Sequence, residues 1–209
     1  MQGLEFIIAI AILIISVIIH EVSHGYAAYM MGDRTAAYAG RLTLNPLKHL
    51  DPIGSIIVPA VSYLLGGFII GWAKPVPYNP YNFNKKRFGE IWVALAGPLS
   101  NILLAVIFGV CIRVGIAFSL VSASFVSVAS TVVLINLVLA IFNLVPIPPL
   151  DGSKLVFALF PNQYSKLRFV LERYGIVFVF LFIFVLWPLL KPVLVFVFQL
   201  LTGLGGGGF

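Results

Sequence analysis

Read from its N-terminus, the chain is a succession of apolar runs separated by short polar, mostly basic stretches. The first run, residues 6–19, resumes at 26–31 after a polar interruption, and the whole predicts one helix over about 4–31, ended by Gly32-Asp33 as a glycine C-cap ends one. Residues 33–51 are polar and carry Arg34, Arg41 and Lys48; a weak alternation over 38–44 predicts a short strand. Residues 53–70 have a spanning length but are broken by Pro59 and Gly66-Gly67. The polar stretch 71–90 contains Lys74, Lys85, Lys86 and Arg87, with Pro75, Pro77 and Pro80 favouring extended backbone. Two further helices are predicted over 91–117 and 121–145. The second of these runs into Pro146, Pro148 and Pro149, which force the backbone to unwind just before Asp151. Unwound backbone at membrane depth is tolerated only where protein or a water-filled cavity receives it, so this break points to a site. Residues 153–173 read as a basic loop with Lys154, Lys166, Arg168 and Arg173. The last run, 174–201, holds Trp187-Pro188 and Lys191-Pro192 and reads as a kinked span in preference to a hairpin; a glycine-rich, flexible tail follows at 203–209.

Composition turns this pattern into a class. With 61% hydrophobic and 10% charged residues in 209, and a mean hydropathy of +1.08, the chain is excluded from ordinary soluble domains. The expected fold is an all-α polytopic membrane protein of about four transmembrane helices plus a re-entrant or interfacial segment at 53–70, with short extended strands near the active site. It is expected to be one membrane-embedded domain, 1–209, with its core at 4–152 and a C-terminal helix at 174–201. The net charge of +6 does not imply nucleic acid, because the basic residues sit in loops between apolar runs, where the positive-inside rule puts them. Cys111, the single cysteine, allows no disulfide within the chain. Met1-Gln2-Gly3-Leu4-Glu5 lacks the basic region of a secretory signal, so the first helix is expected to stay.

The polar interruption in the first helix is His20-Glu21-Val22-Ser23-His24. The chain has 3 histidines and 7 acidic residues, and two of the former and one of the latter share this one turn. Ionisable groups at membrane depth cost roughly 2.5–3.5 kcal/mol each on insertion scales, so a compensating interaction is required. Positions i and i+4 share a helix face, and two neutral imidazoles presented there suit a zinc ion. Glu21 on the same turn can reach a metal-bound water without entering the coordination sphere, which is the H-E-x-x-H arrangement of zinc hydrolases. A catalytic zinc wants three protein ligands and an open position. Asp151, the one acid that follows a proline-broken helix, is the preferred third ligand, with Asp51 in reserve. Topology follows: 4–31 and 121–145 descend to one side, 91–117 ascends, and 53–70 dips in and returns or lies along the interface.

His20-Glu21-Val22-Ser23-His24-Gly25, Gly71 to Pro77 as G-W-A-K-P-V-P, Ala96 to Asn101 as A-G-P-L-S-N, and Asn143 to Gly152 as N-x-x-P-x-P-x-L-D-G together resemble the site-2 protease family of intramembrane zinc metalloproteases, in its short subgroup without PDZ or CBS domains. The resemblance implies one zinc held by His20, His24 and Asp151, Glu21 as general base and acid, and hydrolysis within a transmembrane segment of a membrane-protein substrate, on the cytoplasmic side of a prokaryotic plasma membrane. It also implies that Asn101 helps hold substrate or the oxyanion; the residue by itself reads equally as an interhelical hydrogen-bonding asparagine. The extended stretches at 38–44 and 72–78 either offer a sheet edge to an unwound substrate or shield the site. His49 reads as a loop histidine, and Trp72, Tyr78 and Tyr81 as interfacial anchors. The rival readings are an intramembrane metal or ion transporter, which needs further polar residues across to the opposite face, and a proteolytically inactive helix-binding relative, against which the intact Glu21 counts.

Overall fold

The computed structural model describes residues 2–51, 53–57, 61, 73–160, 165–182, 185 and 187–205. Seven α-helices lie among them: α1 (Gln2–Met30), α2 (Thr35–Tyr38), α3 (Lys86–Ala117), α4 (Ala123–Asn143), α5 (Asp151–Leu159), α6 (Ser165–Leu181) and α7 (Trp187–Thr202). Three of them contain stretches long and apolar enough to cross a membrane, namely Gly3–Met30, Lys86–Ala117 and Ala123–Asn143. At 1.5 Å per residue the 21 residues of α4 span about 32 Å, close to the thickness of a bilayer's hydrocarbon core. The expected C-terminal span is divided: Tyr174 (φ −112°, ψ 15°) breaks α6, and the apolar helix beyond it, Pro188–Thr202, is shorter than the three crossing helices. Gly175 of α6 lies against Pro148, and Gly203, just past α7, lies beside Arg113.

α1 ends as its sequence predicts. Gly32 takes φ +106°, and the amides of Gly32 and Asp33 bond back to Tyr29 O and Ala28 O at 3.1 and 2.9 Å, the paired bonds of a Schellman cap. α3 and α4 form an antiparallel hairpin through 118–122, where the Ser122 hydroxyl caps α4 by accepting from Phe125 N at 3.2 Å. α7 closes this pair, and the seam is built of Ala105, Ile112, Ala129, Val133, Leu137, Leu194 and Phe198. Small residues at the contact let helices approach closely where lipid offers no hydrophobic drive for association.

The polar end of the bundle is organised by Asp33, which is fully buried. Its carboxylate accepts from Thr35 N, Thr35 Oγ1, Asn79 N and Asn82 Nδ2 at 2.5–3.1 Å, tying the exit of α1 to the stretch that leads into α3. Arg34, Arg41, Lys48, Lys74, Lys85, Lys86 and Arg87 lie between the end of α1 and the first turn of α3, while Arg113 lies near the far end of α3.

Three expectations are corrected. No strand forms among the described residues. Within 38–44, Tyr38 closes a helical turn and Gly40 takes φ +62°, which breaks the alternation. Residues 73–79 form no regular structure; the backbone groups of Lys74, Pro75, Val76 and Asn79 are taken by side chains and loops, and Pro75 and Pro77 have no N–H to give to a ladder. The stretch from 153 is not a loop at its start, because α5 begins at Asp151 itself, directly after the prolines, and α6 covers 165–173. Of the run 53–70 only a π-helical turn at Ile53–Ile57 and residue 61 are described, so its expected dip and return lies outside the described residues, as do Trp72 and the end of the tail.

Burial pulls the Asp33 carboxyl up, but the hydrogen bonds from Thr35, Asn82 and Asn79 outweigh it and hold the group below its ordinary range. A depressed folded pKa gives stability that is complete above the unfolded carboxylate value, near pH 4, and is lost as pH falls through the folded value. Asp33→Asn is therefore expected to cost about 2 kcal/mol in thermal unfolding of the detergent-solubilised protein at pH 7, with the difference shrinking progressively as pH falls below about 4. A deficit independent of pH would contradict this.

Candidate metal centre

Three elements bring the site together. α1 carries His20 and His24 one turn apart, both 6% exposed in a helix whose opposite face is open to the surroundings. α3 packs across them at Gly97, where an added Cβ would lie 2.4 Å from His24 Nε2 and 2.5 Å from His20 Nε2. No other residue type fits at this approach. The chain then leaves α4 at Asn143, turns irregularly through 144–150, and starts α5 with Asp151 in its first turn, where the helix dipole favours a carboxylate.

His20 Nε2, His24 Nε2 and Asp151 Oδ2 converge. The two nitrogens are 3.1 Å apart, and Oδ2 lies 3.1 Å from His20 and 3.0 Å from His24. Both imidazoles are anchored through their other nitrogen. His20 Nδ1 donates to Asn101 Oδ1 at 2.6 Å, and His24 Nδ1 donates to the Val93 carbonyl at 2.6 Å. Asn101 Nδ2 donates in turn to Asn136 Oδ1 at 2.8 Å, and Asn136 Nδ2 donates to Ser16 Oγ at 2.9 Å, which fixes the orientation of both amides. With the ring protons placed on Nδ1, both Nε2 atoms present lone pairs toward a carboxylate oxygen. Three acceptors this close, buried together with no proton between them, repel one another unless a cation joins them.

The donor set fits that cation. Two imidazole nitrogens and one carboxylate oxygen are the ligand types of catalytic zinc, which keeps a fourth position open. With ligands about 2.0–2.2 Å from the ion, a tetrahedral face has edges of about 3.3 Å, so the observed spacing is within a few tenths of an ångström of the requirement. Among the described residues, His20, His24 and Asp151 are the group of His, Cys, Asp and Glu side chains able to hold a metal. Asp51, the reserve ligand, instead caps the turn at 53–57 by accepting from Ile53 N and Gly54 N. His49 is likewise elsewhere, buried beside Thr43 O.

Glu21 follows His20 and is held from outside α1. Its Oε2 accepts from Val76 N at 2.9 Å, so the irregular stretch 73–79 braces this side chain. Asn101 is fully buried, with one end of its amide on His20 and the other on Asn136. Both ends of its amide thus bridge helices, as in an interhelical hydrogen-bonding asparagine. Sequence reasoning passed over three contributors. Lys154 Nζ donates to Asp151 Oδ1 at 2.9 Å and so turns Oδ2 to the histidines; its place three residues after Asp151 was the available signal, once 151–159 is known to be helical. Asn136 was legible only as a polar residue in an apolar run, and the Val93 carbonyl left no mark in the sequence.

Three helices long and apolar enough to cross a membrane thus enclose a buried His-His-Asp set beside a glutamate, the residue types of a zinc hydrolase. The comparisons agree: the pattern of peptidase family M50 matches residues 8–119 and 112–186, and the chain belongs to that family. It is 42% identical over 190 residues to YwhC of Bacillus subtilis, covering 86% of this chain and 84% of that protein. It is 35% identical over 147 residues to Rip2 of Mycolicibacterium smegmatis, covering 70% of this chain and 55% of that one. Zinc metalloprotease MJ0392 of Methanocaldococcus jannaschii is 24% identical over 157 residues, 75% of this chain and 35% of its own length. No solved structure matches the chain significantly.

Two substitutions separate packing from ligand support. Gly97→Ala places a methyl group among the ring nitrogens and is expected to abolish stoichiometric zinc in the purified protein, measured by inductively coupled plasma mass spectrometry. Asn101→Leu removes the acceptor that orients His20 and is expected to weaken zinc about 10–100-fold in chelator competition; unchanged affinity would show that the amide does not set the ring.

Proposed function

We propose that this chain is a zinc-dependent endopeptidase that hydrolyses a peptide bond within or near a transmembrane segment of another membrane protein, as in regulated intramembrane proteolysis. The reading is carried by one observation: three lone-pair donors, His20 Nε2, His24 Nε2 and Asp151 Oδ2, meet in a buried cluster next to Glu21. His20, His24 and Asp151 are the proposed ligands. Zinc, when bound, supplies a Lewis acid that polarises the scissile carbonyl and acidifies water. Glu21 takes the proton of the attacking water on its carboxylate and delivers it to the leaving amine. Val76 N–H, donating to Oε2, holds that carboxylate in one orientation and leaves the other oxygen for the proton. Asn101 acts through His20, and Lys154 through Asp151, as positioning residues. The polar chain from His20 ends at Ser16 within the bundle, which suits a closed catalytic site better than an ion path.

Orientation follows from charge. The end bearing Arg34, Arg41, Lys48, Lys74, Lys85, Lys86 and Arg87 is proposed to face the cytoplasm, by the positive-inside rule, in a prokaryotic plasma membrane. Glu21 is held by Val76 N, from the stretch between the basic residues of that end, so the substrate's bond is proposed to be cut toward its cytoplasmic side.

Glu21→Gln in the purified protein, given a model transmembrane substrate in detergent, is expected to retain zinc while hydrolysis falls at least about 10²-fold. Undiminished cleavage would reject the assigned base, and loss of zinc together with activity would make Glu21 a support of the metal instead.

A further inference from the structure

We infer that the cleft between Arg41, Lys48 and Lys74 is a binding site for the phosphate of an anionic phospholipid headgroup. The cleft has a volume of about 460 Å³ and is lined by these three cations with Leu47, Leu50 and Pro75 among its walls; no carboxylate lines it. Arg41 is the key to its chemistry. The side chain is only 7% exposed. Its Nη2 donates to the carbonyls of Lys74 and Pro75 at 2.7 and 3.3 Å, its Nε has no acceptor, and among the described residues it has no carboxylate partner. A buried guanidinium compensated only by neutral carbonyls carries a desolvation cost that an anion in the adjoining cleft would offset. Lys48 and Lys74 are exposed beside it and likewise lack carboxylate partners among the described residues.

The surroundings select a lipid over a soluble anion. Leu44, Leu47 and Leu50 are 63%, 75% and 41% exposed, in the stretch that follows the exit of α1, where hydrocarbon meets headgroups. A cationic pocket rimmed by leucines presents both halves of a phospholipid with complementary surface, and basic pockets at the cytoplasmic ends of helices are suited to anionic headgroups. One wall of the cleft is the backbone of Lys74 and Pro75, whose next amide, Val76 N, holds Glu21. A bound phosphate thus contacts the same stretch that orients Glu21. The assignment does not depend on the proteolytic reading, and its test reads binding alone.

The experiment is native mass spectrometry of the full chain released from detergent after equilibration with phosphatidylglycerol or phosphatidylcholine. Lys48→Gln/Lys74→Gln is compared with Lys85→Gln/Lys86→Gln, which removes the same charge from the same end outside the cleft. All four lysines are exposed, so both variants keep the fold. Phosphatidylglycerol is expected to bind wild type and control alike and the cleft variant about tenfold more weakly. Equal binding of phosphatidylcholine, an equal loss in the control, or displacement of the lipid by millimolar inorganic phosphate would each overturn the assignment, the last by making it a soluble-anion site.

Discussion

The structure turns on a repulsion. Two imidazole nitrogens and a carboxylate oxygen, all acceptors, are held about 3 Å apart in a membrane protein's interior, an arrangement with little to recommend it until a cation sits among them. Everything around the cluster makes that convergence unavoidable. Asn101 and the Val93 carbonyl take the Nδ1 protons, so both rings must offer Nε2 lone pairs. Lys154 takes one oxygen of Asp151, so the other must face inward. Gly97 removes the side chain that would otherwise keep α3 from lying over the rings.

The same logic explains where the polar residues of so apolar a chain are used. A buried polar group is stable only when its partners are present, and here the partners form continuous chains. One runs from His20 through Asn101 and Asn136 to Ser16, linking α1, α3 and α4. Another centres on Asp33 and links the exit of α1 to the stretch that leads into α3. Residues 73–79 give Val76 N to Glu21 and take Arg41 on the carbonyls of Lys74 and Pro75. This segment is therefore a strap, holding the proposed base and bordering the cationic cleft.

Sequence alone determined a good deal. Hydropathy and length pointed to the helical membrane class, because continuous apolar runs of about 20 residues satisfy their amides in lipid as helices, whereas the strands of a barrel alternate apolar and polar positions. Helical periodicity put His20 and His24 on one face, and glycine chemistry ended α1 at Gly32. The prolines at 146, 148 and 149 marked the break that carries Asp151. These features are local, and local rules reach them. What tertiary structure decided is non-local: that Asp151, 131 residues from His20, meets it; that Asn101 holds the His20 ring; that 151–159 is helical and sends Lys154 back to Asp151; and that 38–44 and 73–79 do not pair. Distance along a chain carries no information about which lone pairs will share one point in space, and only the packing of α3 over α1, with α5 against it, supplied that.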